Sequence, residues 1–335
     1  MIDLVYIEES IREHPGTIEI LSRFPKATLL SCTHYKEIFN PSGQNFRLQK
    51  RKPALILAKQ TGKFIHPIPP SYGVGGNHNY YFSHLLNCLY DCRYCFLQGM
   101  YPSSHFVHFI NAEDFQSAIS KASHETEEES WFFSGYDCDS LALESITRFA
   151  HGMIPFFREL PNAWLELRTK STNLKVLENH SPLKNAVVAF SFTPEEISKQ
   201  TEWKVPPLHA RIQAMKKVAA MGWKVGWRID PVIDCQNFEL RYAKLFDSLL
   251  SKLSMKKLHS VSLGAFRMPS GFFKKMQKTY PTEPLFAGEL EKRSGMFAYK
   301  QDLEQKRLKT CEKLLLERIP QEKLFSCKSP VVNPK

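Results

Sequence analysis

The sequence predicts an α/β protein: an open, partial (β/α)6 barrel of the TIM type, preceded by an α/β lobe and followed by a basic helical tail. Three observations lead there. Between residues 79 and 280, short apolar stretches alternate with stretches of helical apolar spacing, the pattern of a parallel sheet with right-handed crossovers. Roughly six such units fit in that span, whereas a closed barrel takes eight. The chain, at 335 residues, is long enough to bury a sizeable core, and it has no apolar run of membrane-spanning length.

Residues 1–78 form the N-terminal lobe. Its candidate strands are Val5–Ile7, Ala27–Leu30 and Ala54–Ala58, with a helix running toward Leu21. Asn40-Pro41-Ser42-Gly43 is a turn. The connector from His66 to Asn77 is rich in Pro and Gly, and its Gly73-Val74-Gly75-Gly76 lacks the Lys-Ser/Thr of a phosphate-binding loop. In the barrel segment, residues 79–280, the candidate strands are Tyr80–Ser83, Phe106–Ile110, Trp131–Ser134, Trp164–Arg168, Ala186–Phe192, Trp223–Ile229 and His259–Leu263. Leu141–Phe157, Pro207–Met221 and Phe238–Leu253 carry apolar residues at helical spacing. Residues 281–335 are the tail: a long basic helix over Ala298–Ile319, a closing strand at Leu324–Cys327, and a frayed Pro-rich end from Ser329 to Pro334.

Chemistry enters at Cys88, Cys92 and Cys95, spaced C-x3-C-x2-C after the first barrel strand. Three thiolates can hold a [4Fe–4S] cluster and leave one iron open. An open iron can bind S-adenosylmethionine (SAM) through N and O donors. Two other readings stand beside this one: zinc held by His84, Cys88, Cys92 and Cys95, and three buried, inert cysteines. The other cysteines, Cys32, Cys138, Cys235, Cys311 and Cys327, follow no disulfide pattern, which fits a reducing cytoplasm. The N-terminus has no signal-peptide pattern. In parallel barrels the chemistry sits at the C-terminal ends of the strands. That adds Ser134–Ser140, Thr169–Ser171, Ser191–Thr193, Asp230–Asp234 and Ala265–Arg267 as candidate segments. The net charge of +11 favours a polyanionic partner, nucleic acid first. Basic residues cluster at Lys50-Arg51-Lys52, Lys256-Lys257, Lys274-Lys275, Lys292-Arg293 and from Lys300 to Lys309.

With these residues in place, the cysteine motif resembles that of the radical SAM superfamily, and the later blocks resemble the spore photoproduct lyase family. The resemblance runs from about Phe64 to Lys275 and rests on Tyr94-Cys95-Phe96-Leu97-Gln98, Asp139 with Glu144, Thr169-Lys170, Phe190-Ser191, Pro207–Ala214 and Ala219–Gly226. It implies a partial barrel of the radical SAM kind, with a [4Fe–4S] cluster on Cys88, Cys92 and Cys95. It implies cleavage of SAM to a 5′-deoxyadenosyl radical, which abstracts hydrogen from a covalently linked thymine pair in damaged DNA so that the crosslink fragments. Lys170, Ser191, Cys138 and Asp139 are the implied SAM-binding positions, Cys138 standing where the family has a serine. Tyr136 stands where the family has its hydrogen-donor cysteine, and Phe96 where it has a relay tyrosine. Cys138, Tyr136 and Tyr94 are therefore the candidate catalytic residues. Cys138 comes first, because residues two apart in an extended loop point the same way. Arg293, Tyr299 and Lys300 are the candidate DNA contacts, with Tyr299 wedging or stacking at the lesion. The expected partners are damaged DNA and an electron donor such as flavodoxin or ferredoxin, and the expected enzyme is a cytoplasmic monomer. The alternatives are a radical SAM enzyme acting on RNA or a peptide, and a metal-stabilised nucleic-acid-binding protein without activity.

Overall fold

The computed structural model describes residues 2–68 and 72–327, so the frayed end expected from Ser329 to Pro334 lies outside the described residues. In chain order the first strands are β1 (Leu4–Glu8), β2 (Thr28–Cys32), β3 (Leu55–Ala58), β4 (His66–Pro67), β5 (His78–Tyr81), β6 (Leu85–Leu86), β7 (Asp91–Cys92), β8 (Phe106–Phe109) and β9 (Ser130–Ser134). They are followed by β10 (Ala163–Thr169), β11 (Ala186–Ser191), β12 (Glu202–Trp203), β13 (Lys224–Val232), β14 (Leu258–Ala265), β15 (Arg267–Pro269), β16 (Leu290–Arg293), β17 (Met296–Tyr299) and β18 (Leu324–Ser326).

The large sheet has the order β18-β14-β13-β11-β10-β9-β5-β4. From β5 to β18 every neighbouring pair is parallel, and only β4 joins antiparallel. Spatial order follows chain order, as successive right-handed crossovers require. β4 and β18 do not pair with each other, so the curled sheet stays an open half-barrel. β11 is buried along its whole length and β10 everywhere but Arg168. A sheet covered on both faces needs no polar alternation, and hence β11 reads as the continuous apolar run Ala-Val-Val-Ala-Phe-Ser. Helices Phe149–Arg158 and Leu208–Ala220 pack against β10 and β13 through their apolar faces. The helix expected over Leu141–Phe157 is split, because Arg148 takes a left-handed backbone conformation (φ 49°) between Glu144–Thr147 and Phe149–Arg158.

Two expectations change. Phe106–Ile110 was expected in the barrel, but β8 pairs parallel with β3 in the five-stranded sheet β2-β1-β3-β8-β6. Fully buried β3 needs a covered partner on its free side, and fully buried β8 supplies it. The N-terminal sheet therefore draws in residues beyond 78. The tail also departs from a simple helix. Ala298-Tyr299 is strand, in a hairpin of β16 and β17 turned by Ser294-Gly295, both at positive φ (49° and 78°). Two successive positive-φ residues give the turn whose twist matches a hairpin. β15 extends the hairpin to three strands, the helix is confined to Gln301–Leu316, and β18 returns to the large sheet beside β14. Among the described residues no helix is long and apolar enough to cross a membrane.

Candidate active site

The cysteine loop is held from three sides. Asn87, at φ 69°, turns the chain just before Cys88, and its side-chain amide donates to the carbonyls of Ser103 (2.9 Å) and His105 (2.7 Å). Asp91-Cys92 pairs antiparallel with Glu202-Trp203. The Lys50 ammonium, arriving from the N-terminal lobe, donates to the Cys88 carbonyl at 2.5 Å. The three thiols lie close enough to perturb one another. Burial first, and neighbouring negative charge second, pushes the Cys88 thiol up to about 12, and burial drives the Cys92 thiol well above its ordinary value. Thiols shifted in this direction stay protonated on their own, whereas a coordinated metal deprotonates them outright.

This donor set fits a [4Fe–4S] cluster. Three cysteines of one loop present the sulfur ligands that would hold such a cluster. The zinc alternative lacks an assembled site: among the described residues no three His, Cys, Asp or Glu side chains converge as a single ion requires. His84 is buried and stacked face to face on Phe149, ring centroids 3.5 Å apart.

The expected SAM-binding positions are joined by two buried knots. In the first, Asp139 accepts from the Leu141 amide (3.0 Å), the Ala142 amide (2.9 Å), the Thr169 hydroxyl (2.7 Å) and the Lys170 amide (2.6 Å). Its carboxylate is thus occupied in fastening the loop after β9 to the loop after β10, which makes Asp139 a positioning residue. Gly135 begins that loop at φ 84°, where an added Cβ would meet the Ser140 hydroxyl at 2.7 Å. In the second knot, fully buried Arg211 donates to the Ser191 carbonyl (2.9 Å) and to Glu202 (2.5 Å), and Glu202 accepts from the Tyr94 hydroxyl. Burial would raise the Glu202 carboxyl, yet Arg211 and Lys170 hold it below its ordinary value. Lys170 lies over the Tyr94 ring, 5.5 Å from its centroid. Tyr94 is therefore a buried strut between the cysteine motif and β11, its hydroxyl already engaged. The Glu202–Arg211 pair escaped the sequence reading, since two charges nine residues apart reveal nothing before the fold joins them.

The loop after β9 separates the other two candidates. Tyr136 is 48% exposed, stacked on Tyr81 (4.3 Å between centroids) and 5.5 Å from Phe96. Cys138 is 7% exposed and perturbed by Cys88 and Asp139 as well as by burial. The two do not point the same way, because the segment bends where an extended course was expected. Beyond Tyr136, Arg267 packs over the Tyr72 ring (4.9 Å) and pairs with Asp230 (3.3 Å). Deeper in, Glu166 binds Arg228 at 2.5 Å and Arg168 at 2.9 Å. Trp164, Glu166 and Arg168, two apart along β10, form a row on one face of the strand. That spacing was the available signal for these polar interior residues, and apolar runs masked it.

The candidate DNA contacts lie in and beside the hairpin of β16 and β17, and for Tyr299 the expectation changes. Tyr299 is 4% exposed, and its hydroxyl accepts from the Asp234 amide at 2.9 Å, so it is no wedge at a lesion. Arg293 is paired with Glu291 (3.2 Å) and Glu304 (2.5 Å), and exposed Lys300 with Glu289 (3.2 Å). Strand formation in place of helix turns Tyr299 inward. Tyr299→Phe should cost about 1–2 kcal/mol, the penalty for leaving the Asp234 amide unpartnered. Discrimination between irradiated and untreated DNA should stay intact; thermal melting and competitive binding check the two halves.

Comparison with known proteins agrees with this architecture. The family model described as spore photoproduct lyase matches residues 1–325. The spore photoproduct lyase of Bacillus subtilis (strain 168) is 24% identical over 317 residues, covering 90% of this chain and 91% of that protein. That of Geobacillus sp. (strain Y412MC61) is 23% identical over 257 residues, covering 75% and 73%. A solved spore photoproduct lyase mutant with bound AdoMet and dinucleoside spore photoproduct overlays with a TM-score of 0.85 at 19% identity, over 98% of each chain. A spore photoproduct lyase complexed with dinucleoside spore photoproduct overlays at 0.82 and 17% identity, again over 98% of each. At these identities the overlays speak for the fold.

Proposed function

The chain belongs to the spore photoproduct lyase family, and from that premise we propose how its own residues serve a radical SAM lyase that reverses a thymine-dimer photolesion in DNA. The observation that carries the reading is the cysteine trio Cys88, Cys92 and Cys95 on one loop after β5 of the half-barrel, in a chain matched by the family across residues 1–325. When bound, the cluster and SAM supply a 5′-deoxyadenosyl radical that takes hydrogen from the lesion. In this reading Lys170, Ser191 and Cys138 contact SAM, and Asp139 fixes the backbone that presents Lys170. The exposed ring of Tyr136, backed by Tyr81, offers a stacking face to an extruded dinucleotide. Damaged, poorly stacked bases cost less to extrude. Arg267 is placed to receive a phosphate through charge-assisted hydrogen bonds. Our reading includes reduction by a small carrier such as flavodoxin or ferredoxin, and action as a monomer in a reducing cytoplasm; the unpaired state of the eight cysteines supports the last point.

The test is binding and turnover of ultraviolet-irradiated DNA beside untreated DNA and RNA. Damage-dependent SAM cleavage is expected, together with binding that weakens at least about tenfold between roughly 50 and 200 mM salt as counterions are released. SAM cleavage indifferent to irradiation would favour another substrate.

Hydrogen return is assigned to the same loop. A donor needs an intact O–H or S–H bond; a phenol and a thiol are both protonated at neutral pH, and their surroundings push Tyr136 and Cys138 further in that direction. Exposure at the mouth favours Tyr136 over Cys138, the reverse of the order read from the sequence. Tyr136→Phe should divert product toward adducts or trapped radicals while SAM cleavage persists, and Cys138→Ala should do so less. Mass spectrometry of the products decides; clean product at the parental rate from both variants and from the double variant would place the donor elsewhere.

A further inference from the structure

Lys50 stands in a run of three basic residues, Lys50-Arg51-Lys52, and sequence alone puts it on the surface. The structure puts it inside. It is 5% exposed, while Arg51 and Lys52 are exposed beside it. Among the described residues its ammonium makes one hydrogen bond, to the carbonyl of Cys88 at 2.5 Å, and no ion pair, while its own carbonyl accepts from the Lys204 ammonium at 2.6 Å. The titratable groups that reach it are the Cys88 and Cys95 thiols, the Asp91 carboxylate and the Lys204 ammonium. Asp91 is already bound to Arg93 at 2.6 Å. An ammonium removed from water without a counter-ion is strongly unfavourable. The helix Phe46–Arg51 nevertheless brings it in, and the lobe is fastened there: the Gln49 side chain accepts from the Ser104 amide at 3.0 Å.

We infer that Lys50 is the built-in counter-cation of the cluster held by Cys88, Cys92 and Cys95, and that its charge sets the reduction potential of that cluster. The inference rests on the reading that these cysteines hold a cluster. One-electron reduction by an external reductant adds a negative charge to the group the thiolates hold. A fixed cation in a low-dielectric pocket favours the more negative form, and net charge is among the determinants of cluster potential. The anionic group in turn supplies the partner that the buried ammonium lacks. Lys50 touches no reacting atom and is a positioning and tuning residue.

The experiment compares Lys50→Met and Lys50→Arg with the parent after anaerobic reconstitution, titrating the reduced cluster by electron paramagnetic resonance against dithionite. At a fixed potential Lys50→Met should hold about tenfold less of its cluster reduced, a midpoint lower by 59 mV for one electron. Lys50→Arg should stay near the parent. The iron-free proteins are melted alongside. Without the cluster, Lys50→Met should melt at or above the parental temperature, because it removes an unpartnered buried charge; if that variant takes up no iron, this melt alone decides. An unchanged midpoint at full iron, an equal fall in Lys50→Arg, or an iron-free Lys50→Met that melts lower or does not fold would overturn the inference, leaving Lys50 a mechanical clamp on the loop. Failure of the parent itself to take up iron would instead remove the premise.

Discussion

Cys92→Ala should yield a folded protein that takes up no stable cluster and cleaves no SAM, with Cys88→Ala and Cys95→Ala behaving alike. The parent, reconstituted without oxygen, should bind about four iron and four sulfide per chain. The effect is expected to be total because Cys138, the further cysteine next to Cys88 among the described residues, sits on a loop locked by Asp139 to the Lys170 amide. Folding should survive, since β7 is anchored by backbone pairing with β12 and by the Tyr94–Glu202 contact, neither of which uses the Cys92 sulfur. Iron and sulfide analysis and the release of methionine measure the outcome. Stoichiometric zinc with full activity and no iron would contradict it.

The second large effect lies below the site. Glu166→Gln should destabilise the protein by about 3–5 kcal/mol, because it leaves Arg228, itself 1% exposed, as an uncompensated buried charge. Burial alone would raise the Glu166 carboxyl, but Arg228 and then Arg168 hold it down to about 2. A glutamate in the unfolded chain titrates at 4.5. The stabilisation is therefore complete above that value and is lost as the pH falls through about 2. Parent and variant should differ most at neutral pH, and their difference should shrink steadily in acid. Chemical denaturation across that range checks the slope; a gap that widened on acidification would mean that Glu166 is protonated in the native state.

The parts of this molecule that declared themselves in sequence are those encoded locally. The cysteine motif needs only eight consecutive positions, and continuous apolar runs such as Ala186–Phe190 mark parallel strands because both faces are covered. What stayed hidden depends on which surfaces meet. Phe106–Phe109 is as apolar as a barrel strand, and nothing local tells which of two sheets it joins. Tyr299 reads as a helical aromatic beside basic residues until Ser294-Gly295 folds it back into a hairpin. Lys50 has the same local sequence as a surface lysine, and Arg211 meets Glu202 and Ser191 only once three elements converge. Asp139 stands out in sequence as a strand-end acid, but its four hydrogen bonds, which fasten two loops together, exist only in the fold.

This half-barrel, with three cysteines for a cluster and an aromatic mouth at Tyr136 and Tyr81, reverses a thymine-dimer photolesion. The direct measurement is anaerobic incubation of the reconstituted protein with SAM, reductant and dinucleoside spore photoproduct, with products weighed by mass spectrometry. Two intact thymidines are expected for each lesion lost, with none formed by Cys92→Ala. SAM cleaved while the lesion remains whole would contradict it.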